Sequence, residues 1–262
     1  MPENNAEGLA NGTVPTTANT GGNSGTAAST VSIASGDTLV ADTSKDSHGL
    51  VSYRFTLSAN GTGPTRLFWN YTGTGRVVLS AYFWLDTLPT QVEDLFGIRN
   101  SGGNMGIMSI GADGKFSMAN SAGTGLTVSK STINFPTSQW VRVDMSAAPG
   151  TTTSNGYLDY AVFTKHGNTP IASWSSNAVN SGTTAVAAVF VGRSTGRVEG
   201  RTMWADSIRW QNQTTDWYTT YPKDPGWYVV SSGDEIAAIA RGTVIPVNNT
   251  YDSALYDTAT YG

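Results

Sequence analysis

The chain has 262 residues, enough for one large β domain, and it has no cysteine, which excludes disulfides, thiolate zinc sites and thiol nucleophiles. Charged residues make up only 13% of the sequence, the formal net charge is −4, and no basic run occurs, so no nucleic-acid partner is expected. No apolar stretch reaches about 18 residues, so the sequence predicts no membrane span.

Residues 1–35 are dominated by Gly, Asn, Thr, Ser and Ala and indicate an N-terminal arm with a first strand. The segment starts with neither a cationic region nor an apolar core, so no signal peptide is expected. A protein made in the cytoplasm without such a signal stays there or leaves by another route, such as packaging into a virus particle.

Residues 36–215 contain short alternating segments between turn residues, with no helical period of useful length. Many strands without crossover helices predict antiparallel pairing, and hence a sandwich or a barrel. The segment "RVVLSAYFWLD" shows the alternation, because its apolar side chains share one face. That face carries Val77, Leu79, Ala81, Phe83 and Leu85, and the opposite face carries Ser80, Tyr82 and Trp84.

The segment "GIMSIGADGKFSMAN" predicts a hairpin. Its Asp113-Gly114 pair favours a tight turn, since glycine adopts a positive φ without steric cost. We therefore assign Asp113 and Gly114 a structural role.

The segment "RTMWADSIRWQN", residues 201–212, has the alternation of a strand and carries one carboxylate among large apolar residues. Strict alternation places Trp204, Asp206, Ile208 and Trp210 on one face. Asp206 in this setting is a catalytic acid, a metal ligand or a structural hydrogen-bond acceptor.

The last segment, residues 216–262, is aromatic and extended, and we interpret it as a C-terminal arm with a short helix at 234–241. One more pair of strands in the same sandwich is the alternative. Aromatic residues are enriched in interfaces, so this arm is expected to contact the domain or a neighbouring subunit.

Three patterns bear on catalysis. The "GRSTG" motif around Ser194 matches a hydrolase nucleophile elbow, but a strand and not a helix follows it, so a hairpin turn is the better interpretation. The histidines His48 and His166 lie in no recognisable motif. Glycoside hydrolysis uses a pair of carboxyl groups, and no predicted strand carries two glutamates that could form such a pair locally. We therefore predict no enzymatic activity.

Arginine and aromatic residues give candidate sugar contacts. Arg193, Arg197 and Arg201 lie on one predicted loop. Their guanidinium groups suit the carboxylate of an acidic sugar. The alternatives are that the loop is solvated or that it contacts a partner subunit. Tyr82, Trp84 and Trp140 lie opposite the expected core face. They either form a surface on which sugars stack or belong to the core or to an interface. The glycan-binding candidates are Tyr82, Trp84, Trp140, Arg193 and Arg197.

No metal motif is present, and no cofactor is expected apart from calcium. A calcium site is conceivable around Asp42 and Asp46, or around Glu93 and Asp94, if backbone carbonyls supply further ligands. Ordinary turn acids are the favoured alternative, so the metal site is left open.

The order of strands, the hairpin at 107–118, Trp140 followed by Arg142, and the closing strand with Asp206 resemble the concanavalin A-like (laminin G-like) jelly roll. The opening "EGLANGTVPTTANTGGNSGTA" is similar to the first segment of jelly-roll domains in virion proteins of actinobacterial phages. The resemblance covers roughly 5–212. It implies two antiparallel sheets and an inward-facing, structural Asp206 beside Trp204 and Trp210.

The resemblance implies a bacteriophage virion protein, a minor tail protein or a capsid decoration. We expect it in the virion as a homo-oligomer that contacts other virion proteins and, through its concave face, host-surface glycans. The alternatives are a polysaccharide-degrading enzyme, either a glycoside hydrolase or a lyase, and a free carbohydrate-binding module. The jelly-roll glucanases carry a Glu-x-Asp-x-Glu strand that this sequence lacks, and this absence also favours a chain without enzymatic activity.

Overall fold

The computed structural model describes residues 2–21, 25–59, 61–120, 127–165, 167, 169–195 and 199–213. These residues form fifteen β-strands and no helix, so no helix in this part of the chain is able to cross a membrane. In chain order the strands are β1 (Glu3–Asn4), β2 (Thr30–Ser32), β3 (Thr38–Asp42), β4 (Ser52–Leu57), β5 (Thr65–Asn70), β6 (Arg76–Leu85), β7 (Glu93–Asn100), β8 (Gly103–Ile110), β9 (Lys115–Asn120), β10 (Thr127–Asn134), β11 (Val141–Ala148), β12 (Gly156–Thr164), β13 (Ala172–Val179), β14 (Val186–Arg193) and β15 (Arg201–Gln213).

The strands form two antiparallel sheets. Sheet A has the order β13-β12-β11-β6-β15-β4-β3, with β1 paired to β15, and sheet B has the order β10-β9-β8-β7-β14-β5-β2. Every pairing in the described chain is antiparallel, and the two sheets pack as a sandwich, so the predicted two-sheet antiparallel jelly roll is confirmed.

The core lies between the inner faces of the two sheets. The five apolar residues predicted to share a face of β6 are all buried there, and they pack with Val141, Val143 and Met145 of β11. The predicted hairpin is formed by β8 and β9, and Gly114 in its turn has a φ of 76°. Alternation alone therefore placed these side chains correctly.

The N-terminal segment takes part in both sheets. Within residues 1–35, β1 pairs with β15 and β2 pairs with β5, and Ala6 and Ala28 join the core. The C-terminal arm of 216–262 and its helix at 234–241 lie outside the described residues.

Strand β15 departs from strict alternation. Its pairing with β6 shifts between Asp206 and Arg209, and Ser207 has a φ of 50°. This bulge turns Ile208 and Trp210 into the core, whereas Trp204 packs with aromatic residues on the outer face of sheet A. The prediction that these residues and Asp206 share one inward face is therefore wrong, because the extra residue of the bulge exchanges the two faces.

Candidate functional site

The outer face of sheet A carries most of the polar and aromatic side chains that the core does not use. Strand β6 carries Trp84, Tyr82, Ser80, Val78 and Arg76 on its outer face, over a length of roughly 27 Å at about 3.4 Å per residue. This length matches several sugar units of an extended polysaccharide.

The loop of residues 43–51, between β3 and β4, folds over the centre of this face. Asp206 Oδ2 accepts hydrogen bonds from the Ser47 amide at 2.9 Å, the Ser47 hydroxyl at 2.7 Å and the His48 amide at 3.1 Å. At the far end of the loop, Glu7 Oε1 accepts from the amides of Leu50 and Val51. The carboxylate of Asp206 thus positions His48 above sheet A.

Asp206 itself is 0% exposed. Burial raises its pKa to about 6, although the hydrogen bonds from Ser47, His48 and Ser207 act in the opposite direction. The hydrogen bonds that the structure describes for its carboxylate come from the 47–48 segment and from its own strand, which is the arrangement of a structural acceptor.

A histidine and a tyrosine meet at the centre of the face. The rings of His48 and Tyr82 lie 4.7 Å apart, edge to face, and Ser47 Oγ is 3.0 Å from His48 Nδ1. Tyr82 stands opposite Arg142 of β11 on one side and Asp206 of β15 on the other. The rings of His48 and Tyr82 and the side chain of Arg142 are therefore assembled on adjacent elements.

The arginines of this face are matched with acids. Arg142 lies 3.2 Å from Asp144 and stacks 4.0 Å from the Phe163 ring centroid, and Asp144 accepts from Ser80. Arg209 Nε lies 3.2 Å from Glu3. Two cationic groups therefore flank the centre of the sheet.

A second arginine network lies at the far end of β6. Arg76 pairs with Asp159 and donates to Ser146 at 2.8 Å and to the Tyr157 hydroxyl at 3.1 Å. Burial raises the pKa of the Asp159 carboxyl, and Arg76 opposes that shift. This network ties β6 to β11 and β12.

Aromatic side chains occupy the opposite end of β6. Tyr82, Trp140 and Trp204 form a buried cluster with the half-buried Trp84 packed against it, and the Lys45 ammonium lies 4.4 Å from the Trp84 ring. An open cleft of about 560 Å³ adjoins this end. Its lining includes Thr56, Asp86, Thr87, Thr90, Glu199 and Thr202.

The glycan-binding candidates thus separate into two groups. Tyr82, Trp84 and Trp140 meet at one end of sheet A, although Tyr82 is 0% and Trp140 5% exposed, so Trp84 is the half-open member. Arg193 lies elsewhere and is 0% exposed, because its guanidinium is bonded to Glu93 and to the carbonyls of Ser58 and Glu199. Arg197 lies outside the described residues.

Three of the four carboxylates considered for calcium have protein partners, and the fourth, Asp46, is exposed. Asp42 pairs with Arg54, Glu93 with Arg193, and Asp94 accepts from Ser194. Within the described ranges no group of three or more His, Asp or Glu residues has the spacing of a metal site. Ser194 follows β14 in a bend, and its hydroxyl donates to Asp94. Strand β14 belongs to sheet B and the next strand, β15, belongs to sheet A, so the two strands around the "GRSTG" motif do not form the expected hairpin.

Sequence patterns gave no indication of the role of His48. No motif surrounds it, and its place depends on contacts to Asp206, which is 158 residues away in the chain. Asp144 was also missed, although Arg142 and Asp144 are two residues apart on a predicted strand and so share a face. That spacing was the available signal.

The comparisons with known proteins identify the fold. No family model matches the chain, and no curated protein matches it. Among solved structures, the endo-β-1,4-glucuronan lyase of Trichoderma reesei is similar, with a TM-score of 0.53 and 12% identity over 71% of this chain and 91% of the lyase. The PL-14 alginate lyase of Aplysia kurodai has a TM-score of 0.52 and 9% identity, covering 68% and 90% of the two chains.

A third similar structure is the cellulose-induced protein Cip1, with a TM-score of 0.53 and 16% identity over 69% of this chain and 88% of that one. At these identities the likeness establishes the jelly-roll β-sandwich class. It also overturns the prediction of a chain without enzymatic activity, because two of these three structures are named as polysaccharide lyases. That prediction rested on the absence of a recognisable local motif around Ser194, the two histidines and the glutamates.

Proposed function

We propose that the chain is a carbohydrate-active protein that cleaves an acidic polysaccharide by β-elimination on the outer face of sheet A. The observation that carries the proposal is the meeting of the His48 and Tyr82 rings, 4.7 Å apart, beside Arg142 on the neighbouring strand. The similar structures named as lyases of glucuronan and of alginate support the same reaction class.

The residues fit the chemistry of elimination from a uronic acid. A cationic side chain, Arg142 or Arg209, stabilises the carboxylate so that the neighbouring C5–H becomes acidic. A base of the His48–Tyr82 pair takes that proton, the electrons form the C4=C5 double bond, and the C4–O4 bond breaks. The leaving oxygen takes a proton from the other member of the pair, so atoms and charge balance.

The burial of these groups sets a condition on the reaction. His48 is 8%, Tyr82 0% and Arg142 2% exposed, so a polysaccharide reaches them only after the surrounding chain rearranges. The aromatic end offers the first contact, because Trp84 is half-buried beside the open cleft at Asp86 and Thr87. We place initial sugar binding there and cleavage at the centre of the sheet.

The test uses the purified full chain with glucuronan and alginate, and follows the ultraviolet absorbance of the conjugated double bond in the product. We expect Tyr82→Phe to lower the rate by about 10² to 10⁴. Tyr71→Phe, a half-buried tyrosine in the turn between β5 and β6, is the matched control and keeps the rate of the parent. Equal rates for the parent and Tyr82→Phe, or no unsaturated product from either polymer, would contradict the proposal.

We further propose a virion location, as a minor tail protein or capsid decoration that presents this activity to host glycans as a homo-oligomer. The support is the similarity of the opening segment "EGLANGTVPTTANTGGNSGTA" to the first segment of phage jelly-roll domains, together with the gain in avidity that several copies provide. Mass spectrometry of purified phage particles tests the location, and light scattering of the pure protein tests the oligomer. A monomer in solution, or particles without its peptides, contradicts this part of the proposal.

A further inference from the structure

The outer face of sheet B carries a second cluster of arginine and aromatic side chains, on the side of the sandwich opposite the candidate lyase centre. We call it the Arg66 patch, and it consists of Arg66 and Phe68 on β5, Phe190 on β14, and Gly97 and Arg99 on β7. These strands are neighbours, because β14 pairs with both β5 and β7.

The floor of the Arg66 patch is aromatic. The ring of Phe190 lies over Gly97, where an added Cβ would come within 2.6 Å of it, so glycine is required for this close approach. The Arg66 guanidinium lies 5.1 Å from the Phe68 ring centroid and 5.3 Å from that of Phe190, and the Arg99 guanidinium lies 6.0 Å from Phe68. Two cations thus face one aromatic surface.

Neither cation has an acidic partner among the described residues, and Nε and Nη1 of Arg66 are buried without an acceptor. Burial lowers the pKa of both arginines, and the charge of Arg99 lowers that of Arg66 further. Two like charges held close together with unused donors are costly to the free protein. An oxyanion beside the two guanidinium groups supplies the missing negative charge.

A recess adjoins the patch. Asn104 stands opposite Arg99 on β8, and its Oδ1 is buried without a partner. Asn104 and Asn100 line an open pocket of about 270 Å³ between the β7–β8 turn and Thr183. The side-chain amide of Asn104 therefore lies one strand away from Arg99, between the arginine pair and this pocket.

We propose that the Arg66 patch binds a carboxylate of an acidic polysaccharide, as a binding site distinct from the cleavage centre on sheet A. The proposal rests on the proposed function for its substrate class, since a uronic-acid chain provides regularly spaced carboxylates. Arg66 and Arg99 hold one carboxylate through their guanidinium forks, and the next sugar lies toward Asn104.

The probe is an alginate tetrasaccharide, added to the full chain in the Tyr82→Phe background so that it is not consumed. We expect the arginine Nε–H signals of Arg66 and Arg99 to shift in nuclear magnetic resonance spectra on titration, and cellotetraose, which has no carboxylate, to leave them in place. Unmoved Arg66 signals, or equal shifts with cellotetraose, overturn the proposal.

Paired variants give the affinity. Replacement of both arginines (Arg66→Gln with Arg99→Gln) is expected to weaken tetrasaccharide binding, followed by the backbone amide signals of Gly97 and Phe190, by about tenfold or more. The matched control removes two charges from the β9–β10 region (Lys115→Gln with Lys130→Gln) and leaves the affinity within about twofold at moderate salt. If the two double variants bind the tetrasaccharide with equal affinity, the proposal that the Arg66 patch binds it is contradicted. If the parent chain forms no unsaturated product but the Arg66 signals still shift, the proposal for sheet A is contradicted and the proposal for the Arg66 patch is not.

Discussion

The two outer faces of the sandwich use arginine in opposite ways. On sheet A each outward arginine has a carboxylate within ion-pair distance, and the pairs are Arg54–Asp42, Arg76–Asp159, Arg142–Asp144 and Arg209–Glu3. On sheet B the outward pair Arg66 and Arg99 lies on aromatic rings, with no acid among the described residues.

The paired arginines of sheet A stabilise the fold, whereas we propose that the unpaired arginines of sheet B bind a ligand. A buried ion pair is costly to break, because the remaining partner keeps its charge in a dry environment. An unpaired arginine already bears that cost in the free protein, so its removal relieves repulsion. Stability measurements on matched variants therefore test the comparison directly.

Arg76→Met gives the largest expected effect. The variant leaves Asp159, whose side chain is 0% exposed, without its cation, and we expect a loss of about 3 to 5 kcal/mol in the free energy of unfolding. Urea denaturation at neutral pH measures it. Lys130→Met is the control, since Lys130 is 50% and its partner Asp113 40% exposed, and such an exposed pair contributes little to stability. Similar losses in both variants contradict the distinction between them.

Asp206 gives the next largest effect, and it depends on pH. The pKa of Asp206 rises from 3.8 to about 6 on folding, so the folded chain holds a proton that the unfolded chain has lost. Its contribution is fully present below pH 3.8 and is lost as the pH rises through about 6, a change of about 3 kcal/mol. Asp206→Asn removes this titration, so the stability of the parent relative to the variant falls between about pH 4 and 6.

The control for Asp206 is Asp113→Asn. The ammonium of Lys130 hydrogen-bonds Asp113 and lowers the pKa of that exposed carboxyl, so its contribution is present above pH 3.8 and is lost as the pH falls. The two variants thus change the pH profile in opposite directions. A difference between parent and Asp206→Asn that is constant with pH contradicts the burial effect.

Gly97→Ala tests the floor of the Arg66 patch. The new methyl group displaces the Phe190 ring, and we expect a loss of about 1 to 3 kcal/mol in stability together with weaker tetrasaccharide binding. Gly63→Ala is the matched control, because its nearest neighbour is a methyl group 3.8 Å away and the change is tolerated. Wild-type stability and binding for Gly97→Ala show that the close approach is unimportant.

Arg99→Gln gives the smallest effect, of opposite sign. Removing one of two like charges is expected to leave the free energy of unfolding unchanged or to raise it by up to about 1 kcal/mol, while binding weakens. Thermal unfolding with and without the tetrasaccharide separates the two quantities. A clear loss of stability in the free variant assigns Arg99 a structural role.

Local sequence pattern was sufficient for the strands and for their core faces. Alternation in the β6 segment placed Val77 through Leu85 correctly, since a half-buried strand needs only a period of two. It failed at β15, where one bulged residue, Ser207, exchanges the faces of Asp206 and Trp210. A serine with positive φ carries no clear sequence signal.

The candidate site was beyond the sequence because it depends on pairings across long separations. Arg193 was expected to reach a sugar, but Glu93, 100 residues earlier, takes its guanidinium into the interior. His48 lies against Tyr82 on a loop that the Asp206 carboxylate holds, 158 residues away in the chain. Residue types were recognisable in each case, and their partners were not.

The place of β15 in sheet A also has a consequence for biosynthesis. Residues 201–213 form β15, which lies between β6 and β4 in sheet A. Until the ribosome has synthesised β15, the facing edges of β6 and β4 have no hydrogen-bonding partner. At roughly 5 to 20 residues per second the nascent chain waits on the order of ten seconds between β6 and β15. We expect chains released before residue 201 to aggregate through those edges, which makes ribosome-bound intermediates of this length the natural clients of chaperones.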